Sequence, residues 1–239
     1  MLSSANHNFL KDQTMAWEIQ VKVNEQLYIR NPELSELGKN ILSNGIHMID
    51  QLGLEEFTFK KLASQLNTNE SSIYRYFESK HRLLLYYFEW YWRWMDYQLT
   101  YSVNNVKDPV EKIDIFIHVL MLKKEGMIQE GQEVDKEALH RIIIKEASKT
   151  YLTKHVFEDN EKKFFKPYKD FTAKLSDIIL EYNPGYKYSH SLGSTLIETS
   201  HYQYFFMQNL PSLTDFGISK DVNEVISFLK ELAYSCKKN

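Results

Sequence analysis

The chain has 239 residues, 43% of them hydrophobic and 26% charged, with a formal net charge of −3. That is enough apolar material for one large or two small cored domains, and the balanced charge excludes a disordered acidic tail or a general basic coat. Eight Gly and five Pro leave few turns, which argues against a many-stranded sandwich or barrel, and a single cysteine, Cys236, excludes a disulfide framework or multi-cysteine zinc site.

Residues 1–30 read as an N-terminal extension or arm. Trp17, Ile19, Val21 and Val23 alternate with polar residues, the period of a short strand or an extended segment. Asn31-Pro32-Glu33 is a helix-start signal: a side-chain cap, a proline-set φ and an acid that suits the helix dipole. Leu34, Leu37, Ile41, Met48, Ile49 and Leu52 form one apolar stripe, closed by Gly53. Thr58 caps a short helix carrying Phe59, Leu62, Ala63 and Leu66. Asn67-Thr68-Asn69 interrupts it, since Asn tolerates left-handed backbone. A second short helix runs over about 70–77, with Ile73 and Phe77 on its inner side.

Ser79 then caps a long helix that contains LYYFEWYWRWMDY at 85–97, eight aromatics in thirteen residues. A helix apolar almost all round must be covered on most sides. Asp108-Pro109 opens another through Ile113, Phe116, Ile117, Leu120 and Met121. A further helix passes through Leu139, Ile142, Ile143 and Ala147. Residues 158–182 read as helical, with Pro167 kinking the helix or marking its start. Asn183-Pro184-Gly185 is a turn, a helix covers 188–209, and Pro211 breaks it. The last helix carries Ile218, Val222, Val225, Ile226, Leu229, Leu232 and Ala233. No hairpin signal follows residue 31, so the fold class is all-α. The expected organisation is a three-helix helix-turn-helix domain at 31–80 and a helical domain at 81–239.

The helix-turn-helix unit at 58–77 gains meaning from its non-core residues. Lys60, Lys61, Arg75, Lys80 and Arg82 surround it, with the hydroxyls of Thr58, Ser71, Ser72, Tyr74 and Tyr76. Such groups donate to phosphate oxygens, and residues 70–72 stand where a recognition helix meets base edges. Residues 58–82 hold those five cations against Glu70 and Glu78, whereas 31–57 hold Lys39 alone against five acids. Positive charge is confined to the stretch that would face DNA. The plain alternatives are tyrosines packed in the small domain and lysines on a solvated helix face.

Thr58, Leu62-Ala63, the three-residue turn, Ile73-Tyr74-Arg75-Tyr76-Phe77, Ser79-Lys80 and Leu83-Leu84 share a spacing with one known family. Over residues 32–84 the chain resembles the TetR family of bacterial transcriptional regulators. The resemblance implies a sequence-specific DNA-binding regulator, not an enzyme: a ligand-responsive repressor acting as a homodimer on a double-stranded operator. It implies that Thr58, Lys60, Tyr74, Tyr76 and Lys80 hold the DNA backbone. Ser71, Ser72 and Arg75 would sit nearest the bases, with Glu70 beside them. The chain departs from the family at Asn67, usually Gly, and at Glu70, often basic or polar. Glu70 stabilises the helix start and repels phosphate, yet can accept a hydrogen bond from a cytosine amino group.

The same resemblance implies a second domain that dimerises and holds a small ligand. Val222, Val225 and Leu229 of the last helix, with the small Ser189, Gly193 and Ser200 of the one before, suit a four-helix interface between two chains; packing within one chain is the alternative. Candidate lining for a small apolar ligand with a polar handle is His118, Met121, Leu122, His140, Ile144, Tyr151, Phe171, Tyr202 and Phe206, against the plain reading of ordinary core. No His pair has metal-ligand spacing, so no metal or cofactor is expected. No Gly-rich phosphate loop, Gly-x-Ser-x-Gly or cysteine nucleophile beyond Cys236 appears. A helical scaffold or signalling partner that has lost DNA binding is the competing reading. With no apolar run of 18 residues and no secretory leader, no membrane partner is expected, and the expected location is cytoplasmic.

Overall fold

The structure, a computed structural model, describes residues 21–122 and 134–236. Trp17 and Ile19 lie outside the described residues. Val21 and Val23 are buried but join no strand. Here the alternation reflects an extended segment laid over the body, with one 3-10 turn at Glu25–Leu27. The backbone N–H of Asn24 donates to Glu89 Oε1 at 3.0 Å, and its side chain donates to the Lys162 carbonyl at 2.9 Å.

Asn31 and Pro32 start a 3-10 turn, Pro32–Leu34, rather than the long helix. That turn rotates Leu34 off the apolar stripe, and it is 80% exposed. Ser35 caps α1, Glu36–Glu56, by accepting from the Gly38 N–H. Gly53, at φ +76°, kinks α1 near its end, as only glycine does without strain. Thr58 caps α2, Phe59–Gln65; Asn67 takes φ +49°; Asn69 caps α3, Glu70–Tyr74. α3 stops short of residue 77 because the Tyr76 N–H turns tighter, onto the Ile73 carbonyl. Ser79 caps α4, Lys80–Val103.

The body adds α5 (Pro109–Leu120), α6 (Lys136–Glu146), α7 (Ser148–Tyr151), α8 (Val156–Glu161), α9 (Lys166–Tyr182), α10 (Ser189–Asn209) and α11 (Val222–Tyr234). Pro167 marks a helix start: Lys163 at φ +64° ends the preceding turn, and α9 begins at Lys166. Ile218 precedes α11 and is fully exposed.

α4 is the axle. All its aromatics from Tyr86 to Trp94 are buried, and α5, α6, α7 and α9 surround it. Phe88 meets Tyr151, Phe165 and Tyr168 edge-on, while Trp92 lies 4.6 Å from Tyr168 and 5.2 Å from Phe171 between ring centres. α6 packs on α1, and α10 packs on α9 and α11.

The small residues of α10 act inside one chain. Ser189 accepts a hydrogen bond from Ser176 of α9, and a side chain at Gly193 would meet the Thr172 carbonyl at 3.4 Å. Ser200 is buried. Val225 and Leu229 are fully buried, and Val222 packs half-buried against the same core. Ser189 and Gly193 thus let α9 approach, Ser200 bonds back to the Ile197 carbonyl of its own helix, and α11 turns Val225 and Leu229 inward.

Candidate nucleic-acid interface

On α3, Ser71, Tyr74 and Arg75 are exposed and share one face by their spacing of three and four. Ile73, on the opposite side, is fully buried. Tyr74 leans edge-on against Phe59 at 5.1 Å, which fixes its ring while leaving its hydroxyl outward. The Asn69 side-chain oxygen gathers three donors: the Ser71 hydroxyl at 2.6 Å, the Ser72 hydroxyl at 2.8 Å and the Ser72 N–H at 2.8 Å. Asn69 thus organises both serines as well as capping α3. Glu70 lies half-buried beside them.

Thr58 Oγ1 accepts from the Lys61 N–H. Its hydroxyl is therefore an N-cap first. Lys60 and Arg75 are exposed, and neither is held by an ion pair or hydrogen bond among the described residues. The other three cations are committed within the chain. Lys61 Nζ donates to the Glu56 carbonyl at 2.7 Å. Arg82 donates to Asp159 at 2.8 Å. Lys80 Nζ donates to the carbonyls of Leu54, Glu55 and Phe57 at 2.8, 2.9 and 3.2 Å, completing the kinked end of α1.

Tyr76 is similarly engaged. Its ring is buried and its hydroxyl shares a hydrogen bond of 2.8 Å with Ser35, the α1 cap. The Arg30 guanidinium stands 5.5 Å from the same ring. Arg30 adds a cation next to the unit that residue spacing within 58–82 had no means of finding.

The ammonium of Lys80 thus satisfies orphan carbonyls. Lys80→Met, which keeps the stem and removes the charge, is expected to lower stability by about 2 kcal/mol, since three charge-assisted hydrogen bonds vanish and the carbonyls recover water only in part. A urea melt measures this. The slope of log affinity for DNA against log salt should stay put; a slope smaller by about one would mark Lys80 as a phosphate contact instead.

In the body, Ile144, Tyr151 and Tyr202 share a cleft of about 110 Å³ between α6, α7 and α10. Phe206 stacks on Tyr202. His140 and Phe171 lie in the core, His140 sharing a hydrogen bond of 2.7 Å with the Tyr91 hydroxyl and Phe171 packing on Phe116. His118, Met121 and Leu122 sit at the end of α5, His118 bonded through Nδ1 to the Asp114 carbonyl. The cleft walls thus gather three of the nine candidates and add Glu198 and His201.

Residues 41–87 match the family model described as bacterial regulatory proteins, tetR family. No curated protein matches the chain. One solved structure, the crystal structure of superantigen pfit, is similar at 19% identity over 87% of this chain and 89% of that one, with a TM-score of 0.41, too slight a likeness to carry an argument. The match to the family model runs from the buried middle of α1 through α2, the Asn67 turn and α3 into α4, the same elements that carry the exposed Lys60, Ser71, Tyr74 and Arg75. The chain thus carries the DNA-binding domain of the tetR family of bacterial regulatory proteins.

Proposed function

We propose that the chain is a cytoplasmic, homodimeric transcriptional repressor that releases a palindromic operator when a small molecule occupies the body. The observation that carries this reading is the outer face of α3: Ser71, Tyr74 and Arg75 stand exposed together, with Ser72 beside them, while the neighbouring cations are tied into the fold. Lys60 and Thr58 then hold phosphates, and Glu70 favours a cytosine and disfavours a misplaced backbone. With few free cations, non-specific affinity is low and placed contacts dominate.

Dimerisation is supported by the outer side of α10. This 21-residue helix has no Lys or Arg, and clear of the cleft it exposes Ser191 and Thr195, with Phe206 half-covered. Phe228 of α11 adds to it. A face free of basic residues, small at one end and aromatic at the other, suits burial against a second copy.

Response to a ligand is supported by α6. One side lines the cleft through Ile143 and Ile144. Its other side grips α1: Arg141 makes a two-pronged ion pair with Asp50, and Glu146 Oε1 accepts from the Leu54 N–H. A ligand that binds one setting of α6 better than another shifts the separation of the two recognition helices, which must span about 34 Å of duplex.

Selection of bound duplexes from a random library tests the reading. The expected result is a paired, palindromic site. Arg75→Ala should then shift base preference, and Lys60→Ala should weaken all sequences alike. A pool without enrichment, with affinity that ignores salt, would leave the chain a helical scaffold, the reading favoured by the internal commitment of Lys80 and Tyr76.

A further inference from the structure

We propose that the body cleft is a receptor for an organic cation, an amine or quaternary ammonium with an apolar tail, held by Glu198 within an aromatic cage. This deepens the ligand-responsive reading above and rests on it for its regulatory meaning, though not for the binding itself.

Glu198 lines the cleft and is half-buried. Two phenols converge on one of its oxygens: Tyr151 donates to Oε1 at 3.1 Å and Tyr168 at 2.6 Å. The second oxygen accepts no hydrogen bond from the described residues, and no Lys or Arg among them pairs with this carboxylate. The cations nearby are used elsewhere. Lys145, on the same wall, is paired with Asp50 at 3.7 Å, and Lys149 with Glu146 at 2.7 Å. Lys169 is bonded to Asn160.

The cage is aromatic. Tyr202 and Phe205 face the cleft with Tyr151, and Tyr151 and Tyr168 lie near-parallel at 6.5 Å between ring centres. His201, buried and on the same wall, has an Nε2 with no hydrogen-bond partner. Burial holds its imidazole well below the usual range, so it supplies a neutral polar atom rather than a competing charge. Tyr151 also belongs to the wall of a second cavity of about 370 Å³, with Val156, Phe157, Phe165 and Tyr168. The first cavity accepts a cationic head and the second an apolar tail.

The choice of ligand class follows from what filling the cleft does to Glu198. Any occupant removes water from that carboxylate. An apolar or anionic occupant leaves it uncompensated. A cation replaces the lost solvation with direct attraction, and the ring faces add cation–π contact. Hydrogen bonds from Tyr151 and Tyr168 hold the carboxylate in place beforehand, so binding needs little reorganisation.

Calorimetric titration of the full chain with hexyltrimethylammonium, 1-heptanol and hexanoate tests this. The expected result is that the cation binds at least tenfold more tightly than the alcohol and that hexanoate does not bind. Glu198→Gln, which keeps the shape and an oxygen for the two phenols, should lose tenfold or more of the cation affinity and leave the alcohol unchanged. Equal affinities for the three probes, no cation binding, or full cation binding by a folded Glu198→Gln chain overturns the proposal. If that variant does not fold, the ranking of the three probes on the unaltered chain decides. Operator affinity is measured separately with and without the cation. Cation binding that leaves DNA affinity untouched sinks the regulatory reading and keeps the site; a DNA-binding chain that ignores the cation does the reverse.

Discussion

Replacing Asp159 with alanine should destabilise the protein by about 3 kcal/mol, the range for breaking a buried ion pair from one side. Asp159, on α8, is 2% exposed. Its Oδ1 accepts from Arg82 Nη1 at 2.8 Å, and Arg82 opens α4 directly after the DNA-binding unit. The guanidinium is itself mostly covered, 4.9 Å from the Phe164 ring centre. Among the described residues, the one other acid paired with it is Glu78 at 3.8 Å, largely in solvent. A thermal melt should show Tm lower by roughly 6–12 °C, given about 2–4 °C per kcal/mol at this size. Asp159→Asn should lose less, because the amide oxygen still accepts. If the two substitutions are equally mild, the pair is not a structural tie between the DNA-binding unit and the body.

Acid should destabilise the protein through the histidines of its core. Burial pushes His140 down to about 3, with His201 and Arg141 adding to the effect. Burial pushes His201 down to about 4, against the pull of Glu198. Burial also lowers His81 at the start of α4. An unfolded histidine takes a proton near pH 6.5, which these folded ones refuse. Their contribution to stability is therefore fully present above about pH 6.5 and is lost as pH falls from there toward 4 and 3. In the middle of that window His140 and His201 should each remove roughly 1.4 kcal/mol of stability per pH unit. Glu89, whose carboxyl is held above its ordinary value by burial, works in the opposite direction. Urea midpoints at pH 7.5 and 5.5 measure the sum. His140→Gln with His201→Gln should flatten the dependence; an unchanged slope would falsify the assignment to this pair.

Much of the fold was legible because its punctuation is local. Thr58, Ser79 and Asp108 cap the helices that follow them, and Gly53 and Asn67 take the left-handed backbone that their residue types suggest. Capping and turn chemistry depend on a few neighbours in sequence, so they survive without knowledge of the tertiary fold. Asn31-Pro32 was a true start signal for the wrong element, since a 3-10 turn and an α-helix begin with the same groups. The sequence set Tyr74 with the backbone-holding residues and Ser71, Ser72 and Arg75 nearest the bases, whereas the structure exposes Ser71, Tyr74 and Arg75 together and half-covers Ser72.

By itself the sequence determined the all-α class and the helix-turn-helix, because periodicity and caps are short-range. Only the tertiary structure decided where polar ends go. Lys80 and Lys60 look alike as residues, yet one closes the end of α1 and the other meets solvent. Ser189 and Gly193 of α10 were open to either partner in the sequence, and in the fold they meet α9. Glu198 attracted no notice in the sequence, since its meaning arises from Tyr151 and Tyr168, 47 and 30 positions away. A side chain's chemistry is intrinsic, but which groups desolvate it, pair with it or leave it unpaired is set by packing between distant segments, and that is what turns a carboxylate into a site.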